Sequence, residues 1–117
     1  DEAAVRAVAP DFRALSSIGV RCVMVTAEAA RGSDLDFVSR YFAPGSGIDE
    51  DPVTGSAHCA LGPFWQRELG RPVLRAAQLS TRGGRLEVEP AGDRVRLRGR
   101  AVTVLRGELL AAPAANA

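Results

Sequence analysis

At 117 residues, with 46% hydrophobic and 25% charged residues, the chain has the size and balance of one globular domain. Fifteen basic residues, all arginine, against 14 acidic ones leave a net charge of +1, so no global field recruits nucleic acid or a membrane surface. No apolar run approaches the roughly 20 residues that cross a bilayer and no signal-like segment opens the chain, so it reads as cytoplasmic.

In chain order, Asp1 to Leu15 predicts two short helices separated by Pro10, the second started by that proline and laying Phe12 and Leu15 on a core. Gly19 to Ala27 is short and β-branched, the pattern of a buried strand, and Glu28 to Asp34 is a turn. Leu35 to Phe42 alternates as a second strand, and the glycines, prolines and acids of Ala43 to Thr54 make a loop. A helix follows from about Gly55 to Leu69, apolar nearly all the way round and therefore read as buried. Pro63 predicts a kink or break in it, and Gly70 and Pro72 stop it.

From Val73 the period changes to two. Val73 to Thr81, Arg85 to Glu89, Arg94 to Arg98, Ala101 to Leu105 and Glu108 to Ala111 are expected strands. In Arg94-Val95-Arg96-Leu97-Arg98 the valine and leucine face the core and the arginines face water. The glutamates Glu87 and Glu89 on the neighbouring strand, with no aromatic platform, argue against RNA. Residues 112–117 read as a frayed tail on a single domain spanning 1–117. Two strands, one apolar helix and a strand meander give an α+β plan.

The chemistry concentrates at the helix entry, Asp49-Glu50-Asp51-Pro52-Val53-Thr54-Gly55-Ser56. Thr54 or Ser56 suits an N-cap. Gly55 lets the backbone approach a ligand. A helix N-terminus of small residues favours an anion through its free N–H groups and dipole. Asp51 beside such a site is a candidate acid or base, and Asp49 and Glu50 read as solvated loop charges. Arg40 is a candidate fork to that acidic loop. His58 is the only histidine, and with no Cys-x-x-Cys a zinc site is not expected. Cys22 and Cys59 read as buried free thiols. The Ser/His/Asp order of a serine hydrolase is missing.

Ser39-Arg40-Tyr41-Phe42-Ala43-Pro44, Gly47-Ile48 and above all Glu50-Asp51-Pro52-Val53-Thr54-Gly55-Ser56-Ala57-His58-Cys59-Ala60-Leu61 resemble the signature of the PhzF-like family. That family contains the phenazine-biosynthesis isomerase and belongs to the diaminopimelate-epimerase-like superfamily. The resemblance runs from about Asp11 to Leu109 and matches only the C-terminal of the family's two lobes. It implies a lobe in which a curved, mainly antiparallel sheet wraps a central helix, with the active site in the cleft between lobes. It further implies a cofactor-independent isomerase or epimerase that shifts a proton on a small carboxylate-bearing metabolite. Asp51 and Ser56 stand at the family's catalytic aspartate and serine. Gly55, Ser56, Thr54, Gly47 and His58 are the candidate substrate contacts, and no metal or cofactor is implied.

The family's catalytic glutamate and histidine belong to the N-terminal lobe, and no stretch here resembles its motif. The chain opens at Asp1 on what reads as mid-domain helix, which leaves a fragment, a processed product or a lobe of a longer chain open. Gln78, Arg82 and Gly83 resemble a weaker family patch and read as a hairpin. The expected partners are a sister lobe or a second copy, covering an apolar cleft face. The alternative function is a non-catalytic binding or interaction module on the same fold.

Overall fold

The computed structural model describes residues 1–108. The elements in order are α1 (Glu2–Ala7), α2 (Phe12–Ser17), β1 (Val23–Glu28), β2 (Phe37–Ala43), a 3-10 turn (Pro44–Ser46), β3 (Ile48–Glu50), α3 (Gly55–Leu69), β4 (Leu74–Gln78), β5 (Gly84–Ala91) and β6 (Arg94–Arg98). They build one six-stranded sheet in the order β1-β2-β4-β5-β6, with β3 paired to β2. β2 and β4 run parallel, and the remaining described pairs are antiparallel. A parallel pair needs a crossover, and α3 supplies it. The expected α+β class is the one found.

The strand period decides which side chains meet α3. Phe37, Leu74, Ala76 and Val88 face the helix and close a buried cluster with its Leu61 and Trp65. Phe37 stacks on Trp65 at 5.7 Å between ring centroids, and the indole N–H donates to Thr26 Oγ1 at 2.9 Å. A β-carbon on Gly62 would lie 2.7 Å from Cγ1 of Val88, so the helix approaches β5 that closely only because Gly62 has no side chain. On the opposite face of the sheet Val38, Ala77 and Ala27 bury Val5 of α1.

Several expectations are corrected. α3 is buried on one face only, through Ala57, His58, Leu61, Gly62 and Trp65. Ser56, Cys59, Ala60, Pro63 and Phe64 are exposed. An apolar surround in sequence cannot say which part of it this sheet covers. Cys59 is therefore an exposed thiol and Cys22 a half-buried one, both free. The helix runs unbroken through Pro63, which lies on the exposed face. Proline has no N–H to give the Cys59 carbonyl four residues back, so the helix runs on with one hydrogen bond fewer.

Pro10 precedes the cap of α2 rather than starting it. Asp11 is the N-cap and accepts from the Ala14 N–H at 2.9 Å. β1 begins at Val23, four residues later than expected, and is mostly half-buried. The loop before α3 contains β3, whose pairing to β2 shifts register between Phe42 and Ala43, as a bulge does. Ala101 to Leu105 forms no strand, although its alternation suits one, and all five residues are exposed. The expected strand at Glu108 to Ala111 and the tail at 112–117 lie outside the described residues, save Glu108, which is not in a strand. Among the described residues no helix is long and apolar enough to cross a membrane.

Two of the three arginines of β6, Arg96 and Arg98, are committed to cross-strand ion pairs. Arg96 reaches Glu89 at 2.9 Å and Arg98 reaches Glu87 at 2.6 Å. Such exposed pairs contribute little stability, but they occupy charge that a nucleic acid would otherwise meet.

Candidate active site

The turn from Asp51 to Thr54 joins β3 to α3. Its first residue is fixed by the sheet, since the Asp51 N–H donates to the Tyr41 carbonyl at 3.1 Å. Its last is the N-cap of α3 by backbone conformation, with φ −115° and ψ 107°. The Thr54 hydroxyl, however, does not accept from the helix. It donates to Asp51 Oδ2 in a short hydrogen bond. The sequence expectation of a side-chain cap is therefore wrong, and the physical reason is competition. The hydroxyl is held between Asp51, to which it donates, and Gln78 Nε2, from which it accepts at 3.2 Å, and that orientation turns it away from the helix N–H groups. The N-cap side chain makes no hydrogen bond to the first turn of α3, and among the described residues no side chain accepts from it, while Gly55 and Ser56 are exposed. The Ser56 hydroxyl makes no hydrogen bond among the described residues.

Gln78, at the end of β4 and 1% exposed, locks the turn. Its Oε1 accepts from the Thr54 N–H at 2.9 Å. Its Nε2 donates to the Asp51 carbonyl at 2.6 Å and to Thr54 Oγ1 at 3.2 Å. Since the Thr54 oxygen accepts from Gln78, its single proton is directed to Asp51. The sequence reading assigned Gln78 to a hairpin and missed this. The signal available was an amide that follows the apolar Ala76-Ala77 at the end of a strand, which must find partners when buried.

His58 is fully buried one turn into α3. Its Nδ1 lies 2.8 Å from the Thr54 carbonyl. A carbonyl only accepts, so Nδ1 carries the proton and Nε2 is an acceptor, which meets no partner among the described residues. His58 thus sits behind the cap, not on the surface a substrate reaches. Burial lowers its pKa below the ordinary 6.5, outweighing the Thr54 hydrogen bond that raises it. The imidazole is neutral when folded, whereas the unfolded chain takes up a proton below that value. Stability contributed by neutral His58 is then present above pH 6.5 and is lost as the pH falls from there toward the lower folded-state value. As the pH falls below about 7, the unfolding free energy of the wild-type chain should drop by up to about 1.4 kcal/mol per pH unit from this one group, read as a falling melting temperature. His58→Gln should flatten that segment of the curve, and equal slopes in the two proteins would refute the assignment.

Glu50 is not a solvated loop charge. Arg40 forks onto it, Nε to Oε1 at 2.7 Å and Nη2 to Oε2 at 3.0 Å. The same guanidinium donates to the Val8 carbonyl at 2.7 Å, tying α1 to the acidic loop. Asp49 is exposed, beside the register shift of β3. Gly47 ends the 3-10 turn with φ 82° and is exposed. No hydrogen bond among the described residues links it to Asp51 or Ser56. The structure thus gathers Asp51, Thr54, Gln78 and His58 behind the exposed Gly55-Ser56 edge and leaves Gly47 apart. Among the described residues, no cluster of three His, Cys, Asp or Glu gathers to hold a metal.

The family described as phenazine biosynthesis-like protein matches residues 1–107. The chain belongs to this family. An uncharacterised isomerase of Pseudomonas aeruginosa is 53% identical over 108 residues, covering 92% of this chain and 40% of that protein. A mouse phenazine biosynthesis-like domain-containing protein is 48% identical over 96 residues, covering 79% of this chain and 33% of its own length. Among solved structures, a PhzC/PhzF protein of Clostridium difficile superposes with a TM-score of 0.81 at 40% identity, covering 93% of this chain and 41% of that one. A PhzF-family protein of Enterococcus faecalis gives 0.75 at 42% identity, covering 86% and 40%. The chain spans about two fifths of the length of the bacterial relatives it matches.

Proposed function

We propose that this chain is the C-terminal lobe of a two-lobed, cofactor-independent isomerase that moves a proton on a small carboxylate-bearing metabolite in the cytoplasm. The observation that carries this reading is a carboxylate, Asp51, held three residues before the N-cap of a helix that has no side-chain cap. The N–H groups of Gly55 and Ser56, with the Ser56 hydroxyl, hold the substrate carboxylate, an anion that the helix end favours. Asp51 Oδ2 is occupied by the Thr54 hydroxyl, so Oδ1 is the oxygen that takes the proton from carbon and returns it. A second acid or base comes from the opposing lobe, as the family resemblance implies. The isomerase name of the Pseudomonas relative agrees with this class of reaction.

The opposing lobe covers the outer face of α3, where Phe64 is 41% exposed, and the extended segment in which Val102, Val104 and Leu105 are 84–91% exposed. Apolar surface of this kind marks an interface. The same surface favours the second reading, a non-catalytic module that pairs with another chain or with its own copy. One experiment separates them. The two-lobed protein is incubated in D2O with a panel of small α-amino and α-hydroxy carboxylates, and deuterium uptake at carbon is followed by mass spectrometry. Enzyme-dependent uptake supports the isomerase; no uptake into any of them leaves the interaction module.

A further inference from the structure

The Asp51 turn is not held by its own element. Each of its residues is met by a residue of the β4–β5 hairpin between Gln78 and Gly84. Gln78 takes the Asp51 carbonyl and the Thr54 N–H. Ser80 Oγ donates to the Pro52 carbonyl at 2.8 Å and is itself fixed by the Gly83 N–H at 2.9 Å. Val53 sits against Gly84, where a β-carbon would lie 2.6 Å from the Val53 Cβ. Four consecutive turn residues are thus matched by three positions, Gln78, Ser80 and Gly84. The chain separation is 24 to 28 residues for the hydrogen bonds. A turn that served only to start a helix would need none of these contacts, since a local cap suffices.

We infer that the 78–84 hairpin is a mould that presents Asp51, with Gln78 and Ser80 as positioning residues acting through Thr54 and Pro52. This rests on the acid/base reading of Asp51 and deepens it. Gln78 uses both amide protons and its oxygen on the turn, which leaves the Thr54 hydroxyl one direction in which to point. That direction fixes one carboxylate oxygen of Asp51 and frees the other. Preorganisation of this kind matters because misplacing a reacting group by about 1 Å costs about a hundredfold in rate.

The test uses Gln78→Met, which keeps the length of the side chain and removes its hydrogen bonds. Ser80→Ala and its conservative partner Ser80→Thr follow, with Thr81→Ala on the exposed tip of the hairpin as control. Amide exchange and three-bond couplings about χ1 are read by NMR on the 117-residue chain. In Gln78→Met the Thr54 N–H should exchange at least about tenfold faster, as loss of a buried hydrogen bond allows. The Asp51 and Thr54 couplings should change from one rotamer to an average, while amides of β2 and β5 keep their protection. Ser80→Ala should loosen Pro52 to Thr54 less, Ser80→Thr should restore them, and Thr81→Ala should change nothing.

Deuterium uptake into whichever panel carboxylate the two-lobed protein exchanges should fall about a hundredfold in Gln78→Met, with half-saturation changed by less than about twofold. Unchanged Thr54 exchange and rotamers would overturn the mould, and so would loss of protection across the whole sheet. If Asp51→Asn leaves uptake intact, the acid/base reading has failed instead, and the NMR readouts alone decide whether Gln78 holds the turn.

Discussion

Asp51→Asn should abolish most proton transfer in the two-lobed protein while leaving the fold of this lobe intact. The two halves of that expectation have different physical sources. The amide keeps the shape of the carboxylate, and its oxygen still accepts from the Thr54 hydroxyl, so the turn keeps its hydrogen bonds. The backbone anchors, Asp51 N–H to Tyr41 and the Asp51 carbonyl to Gln78, do not involve the side chain at all. What is lost is a favourable charge near a helix N-terminus, about 0.3–1 kcal/mol. The rate behaves otherwise. An amide cannot take a proton from carbon, and a positioned acid or base contributes about 10²–10⁴-fold. Melting temperature and deuterium uptake are measured on the same preparation. Surviving uptake would reduce Asp51 to a helix-entry charge, and a collapsed melting curve would make it structural.

How much of this was legible in the sequence differs from element to element. The ends of α3 were readable because both are local. Thr54-Gly55-Ser56 opens the helix, and Gly70, with φ 66°, closes it by donating its N–H to Gln66. β6 was readable because Arg94 to Arg98 alternates without exception. The Arg40 fork was anticipated from its charge and from the acidic run, but its choice of Glu50 over Asp49 was not. That choice depends on the register of β2 with β3, in which Phe42 pairs with Glu50 and a bulge turns Asp49 out.

The partial burial of α3 and the idle alternation of Ala101 to Leu105 were illegible for one shared reason. Both segments carry a pattern suited to more burial than this chain supplies, and a sequence pattern does not name the partner. At the site, local chemistry made Asp51, Gly55 and Ser56 candidates, and the family resemblance tipped Asp51 from helix-entry charge to acid or base. Gln78 is the converse case. Its role depends on contacts made across 24 to 27 residues, which no local rule encodes.

The same division between what this chain buries and what it leaves open predicts opposite behaviour for two phenylalanines. Phe37 is 0% exposed, stacked on Trp65 and 5.9 Å from the ring of His58. Phe37→Ala removes a whole ring from the centre of the core, and the strand and helix around it relax only partly, so the loss is about 3–5 kcal/mol. For a domain of this length that corresponds to a melting temperature lower by more than about 12 °C, and by a good part of its total stability. Phe64 is 41% exposed, edge-on to Trp65 at 5.2 Å and under Arg67 at 5.7 Å. In the chain alone Phe64→Ala therefore costs only about 1 kcal/mol, the value of an aromatic pair at a surface. Once a sister lobe covers α3, the rest of the ring leaves water as well, and the same substitution should cost about 1–2 kcal/mol more. Thermal melts of both variants, with and without the sister lobe, read the difference directly. An equal cost for Phe64→Ala in both states would mean that the pairing surface lies elsewhere than on the outer face of α3.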